Sequence, residues 1–403
     1  LLPLAEGARV AVIGDFAETP RYQGAGSSAV NSIKVDTFLD RLNDSGLHSV
    51  GFAPGFDRQG KPDAAKQAEA VALAAEADAV LLCLGLDEIK ESEGLDRADM
   101  KLADNQIELL QAVREANPNT VVIVNAGASL ETPWLAHCKA LVYGALGGQA
   151  GAGAMVDVLT GKINPGGKLA ETWANAYDDT PARDHFAGPG RTVQYREGLY
   201  VGYRYYQTAG VPVAFPFGHG LSYTQFAYSD LHADAHSATL TVTNTGDRAG
   251  AEIVQLYVAK PNAEIFRPAQ ELKAFAKVQL AAGESKTVTL TLDDKAFRYW
   301  NTRTESWEVE GGTYELRVGA SSADIRLTAA VEVIGTDALN PYAGKALPHY
   351  QSGKVQTVPD AEWETLLGRP IPDARVKIDC NMTLGELNHG RSPLGWLVWA
   401  VLT

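Results

Sequence analysis

Along the first 165 residues, short runs of consecutive apolar side chains alternate with segments of helical spacing. Residues 9–16, "RVAVIGDF", form a β-branched apolar run, and the spacing over 35–46 predicts a helix ending on a glycine. The alternation continues with a strand at 48–53, an alanine-rich helix at 63–77, a strand at 78–86, a helix at 104–118, strands at 119–127 and 139–146, and a helix at 151–162. Nearly unbroken apolar strands separated by helices predict a doubly wound α/β domain over 1–165, its mostly parallel sheet covered on both faces. Residues 166–225 lose this pattern and become rich in Gly, Pro and aromatics. Aromatics at that density need burial, so an ordered connector is expected rather than a flexible linker. Over 226–334 the period becomes two, as in "ATLTVTNTG", "EIVQLYVAK" and "IRLTAAVEV", which predicts an antiparallel β-sandwich of about immunoglobulin size. Residues 335–403 are Pro-rich, then helical in pattern, and read as a tail. It ends in the apolar run "PLGWLVWAVLT", about half of the ~20 residues that span a membrane.

Composition narrows the function classes. The chain has 403 residues, and 35 Lys plus Arg against 49 Asp plus Glu give a formal charge of −14. No basic run interrupts this excess, which argues against nucleic acid and anionic membranes as partners. The three cysteines, Cys83, Cys138 and Cys380, are far apart and form no C-x-x-C pair, so neither a disulfide framework nor a zinc site is expected. The cytoplasm is the expected compartment. The chain opens on "LLPLAEGARVAVIGD" without a methionine or a basic leader, and both ends read as those of a fragment.

Four features offer chemistry. Gly24, Gly26 and Ala29 make a G-x-G-x-x-A, but about eight residues separate it from the preceding strand, and the acid expected ~20 residues on could only be Asp44. A dinucleotide site needs the glycines at the strand end, so a Gly-rich loop lining a pocket is the better reading. His232 and His236, in a strand region, would lie ~13 Å apart, too far to share an ion. Trp134 and His219 are expected to pack. The fourth is "ESEGLDR", residues 91–97, which with Asp99 gathers Glu91, Glu93 and Asp96 just beyond a core strand. The plain reading is a solvated loop tied down by Arg97. The alternative starts from topology, because open α/β sheets bind ligands outside the carboxyl ends of their strands. Gly94 would allow close backbone approach, and clustering would raise a carboxyl pKa into the range of a general acid.

Together, "RYQGAGSS", "ESEGLDR", "NPGGKLAETW", "YREGLYVGYRYY" and "FPFGHGLSYTQF" resemble, in order, the non-barrel half of family 3 glycoside hydrolases of the β-glucosidase type. "ELKAFAKVQLAAGESKTVTLTL" resembles the fibronectin type III-like domain that follows in many of them, and "WETLLGRPIP" a tail found in a subset. The resemblance implies retaining hydrolysis of β-glucosides or oligosaccharides, with no cofactor and no metal. An aspartate on a (β/α)8 barrel would be the nucleophile, and Glu93, with Glu91 as rival, the general acid/base. Arg21, Gln23, Gly24 and Ser27, on the loop expected beside the site, are the candidate substrate-binding residues. No S-D-W-like nucleophile segment occurs in the sequence, so the chain alone is expected to be inactive and to need the barrel as its partner. A β-xylosidase, a non-catalytic carbohydrate-binding or scaffold module, and a nucleotide-dependent oxidoreductase resting on "GAGSSA" are the alternatives. Homo-oligomerisation is left open.

Overall fold

A computed structural model of the chain describes residues 1–403 except 187, 189–191, 374–378, 381, 391 and 403. Five parallel strands form the first sheet: β1 (Arg9–Ile13), β2 (His48–Ala53), β3 (Ala79–Gly85), β4 (Thr120–Asn125) and β5 (Ala140–Tyr143), in the order β2-β1-β3-β4-β5. Every residue of β3 and β4 is buried, as their unbroken apolar sequences require. Helices α1 (Phe38–Leu42), α2 (Ala64–Ala75), α3 (Asp104–Ala116) and α4 (Gly151–Leu159) cover the sheet, α2 beside α3 and α1 beside α4. The chain leaves β1 toward one edge and β3 toward the other. Right-handed crossovers then place their helices on opposite faces, so the fold class is the doubly wound α/β sheet expected. One helix is shorter than its spacing predicts. Thr37 caps the start of α1 by accepting the Asp40 amide (3.0 Å), and the Ser45 hydroxyl takes the Leu42 carbonyl (2.7 Å), which ends it after five residues.

The connector holds a two-stranded piece, β6 (Trp173–Ala174) with β7 (Val213–Phe215), around helix α5 (Tyr203–Ala209). Trp173 is buried edge-on against Tyr143 (5.0 Å) and Phe215 (5.9 Å), which fixes the connector to the end of the first sheet. An antiparallel sandwich follows. Its strands are β8 (Phe226–Ala233), β9 (Ser237–Asn244), β10 (Gly250–Ala259), β11 (Glu271–Leu280), β12 (Ser285–Thr291), the hairpin β13 (Arg298–Asn301) and β14 (Ser306–Val309), β15 (Gly312–Gly319) and β16 (Ile325–Val333). One sheet runs β11-β10-β15-β16 and the other β12-β9-β8. Inward-facing Leu240, Val242, Val254, Leu256, Leu316 and Val318 fill the space between them.

A third core joins connector and tail. Tyr200, Tyr205 and Tyr206 pack with Leu347, Tyr350, Val355 and Val358. Tyr350 belongs to helix α6 (Pro348–Ser352), and α7 (Asp360–Leu367) and the apolar α8 (Pro393–Leu402) follow. No helix among the described residues is long and apolar enough to cross a membrane.

Candidate active site

In the order β2-β1-β3-β4-β5, the chain turns to opposite sides after β1 and after β3, so a crevice opens between the carboxyl ends of these two neighbours. The loop after β1 carries Arg21 to Val30 and the loop after β3 carries "ESEGLDR". They meet at a parallel bridge between Ala25 and Ser92, where the Glu93 amide donates to the Ala25 carbonyl (3.2 Å).

Arg21 joins them. It is 1% exposed, and its guanidinium donates to the carbonyls of Leu86 (2.7 Å), Asp87 (2.7 Å), Glu91 (3.1 Å) and Gln23 (3.2 Å). It also pairs with the Glu91 carboxylate at 3.4 Å. Arg21 is thus buried, and these bonds hold the two loops together. Gln23 is half-buried, its side-chain amide donating to the Val30 carbonyl (3.0 Å) and the Tyr22 hydroxyl (3.0 Å) and accepting the Val30 amide (2.8 Å). Gly24 lies half-buried beside Ser28. Arg97 is not the tether. Its Nε and Nη2 are buried without a hydrogen-bond partner, and Lys90 is the cation that pairs with Asp99 (3.3 Å).

The two rival glutamates have different surroundings. Both Glu91 carboxylate oxygens accept the Gly127 amide (3.0 and 2.9 Å) beyond β4, so Glu91 links three loops and is engaged by the fold. Glu93 is exposed, and its Oε2 accepts the Ser27 amide at 2.6 Å. Gly26, at φ 102°, makes this approach possible, because a Cβ there would lie 2.6 Å from Glu93 Cβ. Gly94 sits at the turn of the same loop with open space around it. Nothing lies within 4 Å of where its Cβ would be, and its φ of 80° is one that glycine adopts freely.

The expected rise in carboxyl pKa does not occur at Glu93. The Ser27 hydroxyl and amide hold it below the ordinary range. The carboxylates are not massed against one another, because Glu91 and Asp99 have their own partners. The raised carboxyl is Glu171, which the sequence reading did not single out. Desolvation raises it despite hydrogen bonds from Ser129 and the nearby Arg97 charge. Burial also pushes the Tyr143 hydroxyl up to about 12, with Glu171 and Glu91 adding to the effect.

The Gly-rich loop gives its Ser27 amide to a carboxylate, where a nucleotide site would offer it to phosphate. No group of three His, Cys, Asp or Glu among the described residues is placed to hold a metal. His232 lies in β8 and His236 in the turn before β9. Trp134 is buried with its indole N–H on the Glu131 carbonyl (3.1 Å), and His219 packs on Phe215 at 5.3 Å.

Residues 1–223 match the glycosyl hydrolase family 3 C-terminal domain. The chain belongs to that family. Residues 252–322 match a fibronectin type III-like domain, in the span of the sandwich. Among curated proteins of this kind, an exo-α-(1→6)-L-arabinopyranosidase of Bifidobacterium breve is 44% identical over 346 residues, 84% of this chain and 46% of the relative. Thermostable β-glucosidase B of Acetivibrio thermocellus is 42% identical over 347 residues, 83% of this chain and 46% of the relative. The crystal structure of a family 3 β-glucosidase from Bifidobacterium adolescentis superposes with a TM-score of 0.81 at 39% identity, over 98% of this chain and 54% of that one. The chain thus spans about half the length of the curated relatives it matches.

Proposed function

We propose that this chain supplies the acid/base half of a retaining β-glucosidase, and that Glu93 is the general acid/base. The observation that carries the reading is the contrast between the two glutamates. Glu91 is committed to Gly127 and Arg21, whereas Glu93 is exposed at the crevice and tethered by one loop amide. Retention needs a second carboxyl about 5–5.5 Å away. That group, an aspartate on a (β/α)8 barrel, would come from outside this sequence. Val30, Ile33, Ile89 and Leu95 stand exposed on the two loops around Glu93, a wet apolar rim suited to a docked domain.

In the first step Glu93 gives its proton to the glycosidic oxygen as the nucleophile attacks the anomeric carbon. In the second, its carboxylate takes a proton from the water that releases the sugar. In the open crevice the Ser27 hydrogen bonds hold the Glu93 pKa below its ordinary range. Docking of the barrel would remove water and bring the nucleophile's negative charge close, and both effects raise a carboxyl pKa. The isolated chain would not turn over.

The relatives are named for glucosides and for arabinopyranosides, so the sugar is tested with aryl β-D-glucoside, β-D-xyloside and α-L-arabinopyranoside; β-glucosidase is the reading proposed. Cytoplasmic location is proposed with it, since Cys380 is an exposed free thiol. Cell fractionation tests that. For Glu93, the test uses the protein carrying its barrel. Glu93→Ala should lose activity on substrates with poor leaving groups, retain more on activated aryl glycosides, and regain turnover with azide. Azide rescue in Glu91→Ala with unaltered turnover in Glu93→Ala would reverse the assignment.

A further inference from the structure

The β13–β14 hairpin carries two tryptophans that the site around Glu93 does not use. Trp300 and Trp307 are cross-strand partners, with rings 5.4 Å apart at 75°, yet they are 46% and 59% exposed. Tryptophan is strongly buried on average, so two wet indoles side by side form an apolar surface without an internal partner. They border a cleft of about 690 Å³, within the size range of small-molecule sites. Its wall is assembled from segments far apart in sequence: Leu199 of the connector, Phe266 and Tyr299 of the sandwich, and Tyr342 of the tail.

The polar lining is held in place. Glu271 pairs with Lys273 (3.3 Å) and Arg204 (3.4 Å), and Arg298 pairs with Asp294 (2.5 Å). Lys295 adds an exposed ammonium. Four cations stand against two carboxylates here, and the ion pairs engage all of them but Lys295, which leaves one ammonium of those named to meet a strongly anionic ligand such as a nucleotide. A protein partner fits poorly as well, because interface cores are depleted in Lys and Glu, and here both line the concavity with the aromatics. A pyranose chain has the matching chemistry. Its C–H face is apolar and flat enough to lie on an indole, and its equatorial hydroxyls reach outward to charged donors and acceptors.

We propose that this cleft is a second carbohydrate site, one that binds an oligosaccharide by stacking on Trp300 and Trp307 with hydroxyl contacts from Glu271, Lys295 and Arg298. It lies in a different part of the chain from Glu93 and does no chemistry. It would hold a longer glycan against the protein while another part of that glycan, or another molecule, reaches the crevice.

The test uses this chain titrated with cellohexaose, and in parallel with xylohexaose, followed by calorimetry and tryptophan fluorescence. Saturable binding to at least one of them is expected, unchanged in Glu93→Gln. Trp300→Ala/Trp307→Ala should weaken it at least about tenfold. Should that variant fold poorly, Lys295→Gln/Arg298→Gln should weaken binding, and bound sugar should protect the wild-type indoles from N-bromosuccinimide. Absence of saturation with both sugars up to their solubility limits overturns the site, as does full binding by a folded tryptophan variant. A dimer that dissociates on tryptophan substitution, with no sugar binding, overturns it in favour of a contact between copies.

Discussion

Ser27, Gly26 and Glu93 form the smallest unit on which the site depends. Glycine at 26 satisfies two demands, a left-handed φ and a side chain no larger than hydrogen against Glu93. Gly26→Ala should therefore push Glu93 out of place. In the barrel-bearing enzyme, kcat should fall roughly 10²-fold, the scale of an ångström-sized misplacement, while the far-ultraviolet spectrum is unchanged. The tether also predicts a titration. Ser27 stabilises the charged form of Glu93, so the folded pKa lies below the unfolded one. The contribution to folding is then present above the unfolded pKa and is lost as pH falls through the folded pKa. Carbon-detected NMR of this chain should place the Glu93 transition below the usual glutamate range. Ser27→Ala, which removes the hydroxyl but keeps the amide, should move it part of the way back.

At the scale of the element, the end of β3 determines where the catalytic loop starts. The buried Gln106 side chain, reaching from α3, accepts the Gly85 amide (3.0 Å) and donates to the Gly85 carbonyl (2.9 Å). Gln106→Leu would orphan both groups at about 1–3 kcal/mol each. Urea unfolding should register that loss, and proteolysis within residues 86–103 should accelerate. The strands β1 to β5 and their helices were legible in the sequence because their signal is local: apolar runs, period and caps lie within a few residues of one another. The hydrogen bonds that build the site are not local. Arg21 reaches Leu86 and Glu91 across 65 and 70 residues, and Gly127 reaches Glu91 across 36. No pattern in "ESEGLDR" announces that its cation comes from "RYQGAGSS" rather than from Arg97, its own arginine. The same blindness made Glu91 and Glu93 inseparable, since residues two apart in an extended loop point the same way. Glu171 escaped notice because its desolvation comes from packing between segments.

In the whole molecule, the units are joined by buried polar contacts as well as apolar ones. Lys168 of the connector pairs with Glu252 of β10 at 3.1 Å, with side chains 12% and 5% exposed, and also donates to the Gly220 carbonyl (3.0 Å). Lys168→Met leaves the buried Glu252 without its ion-pair partner, at a cost of about 3–5 kcal/mol. Calorimetry should then show a lower Tm, and the double variant with Glu252→Gln should recover part of it. The tail was legible as an addition to the sandwich but not as part of a core, since its aromatic partners lie in the connector. Tyr200 donates its hydroxyl to the Tyr350 carbonyl across 150 residues, and the Tyr350 hydroxyl returns to the Arg196 carbonyl (2.9 Å). During synthesis on the ribosome, the connector therefore emerges long before the segment that covers it. The tail's share of the cover over Tyr200, Tyr205 and Tyr206 arrives only when translation has passed Val358, and a product of premature termination lacks it. The third core thus reports completion: a finished chain completes this cover, and an unfinished one leaves that share of it open to chaperones and proteases.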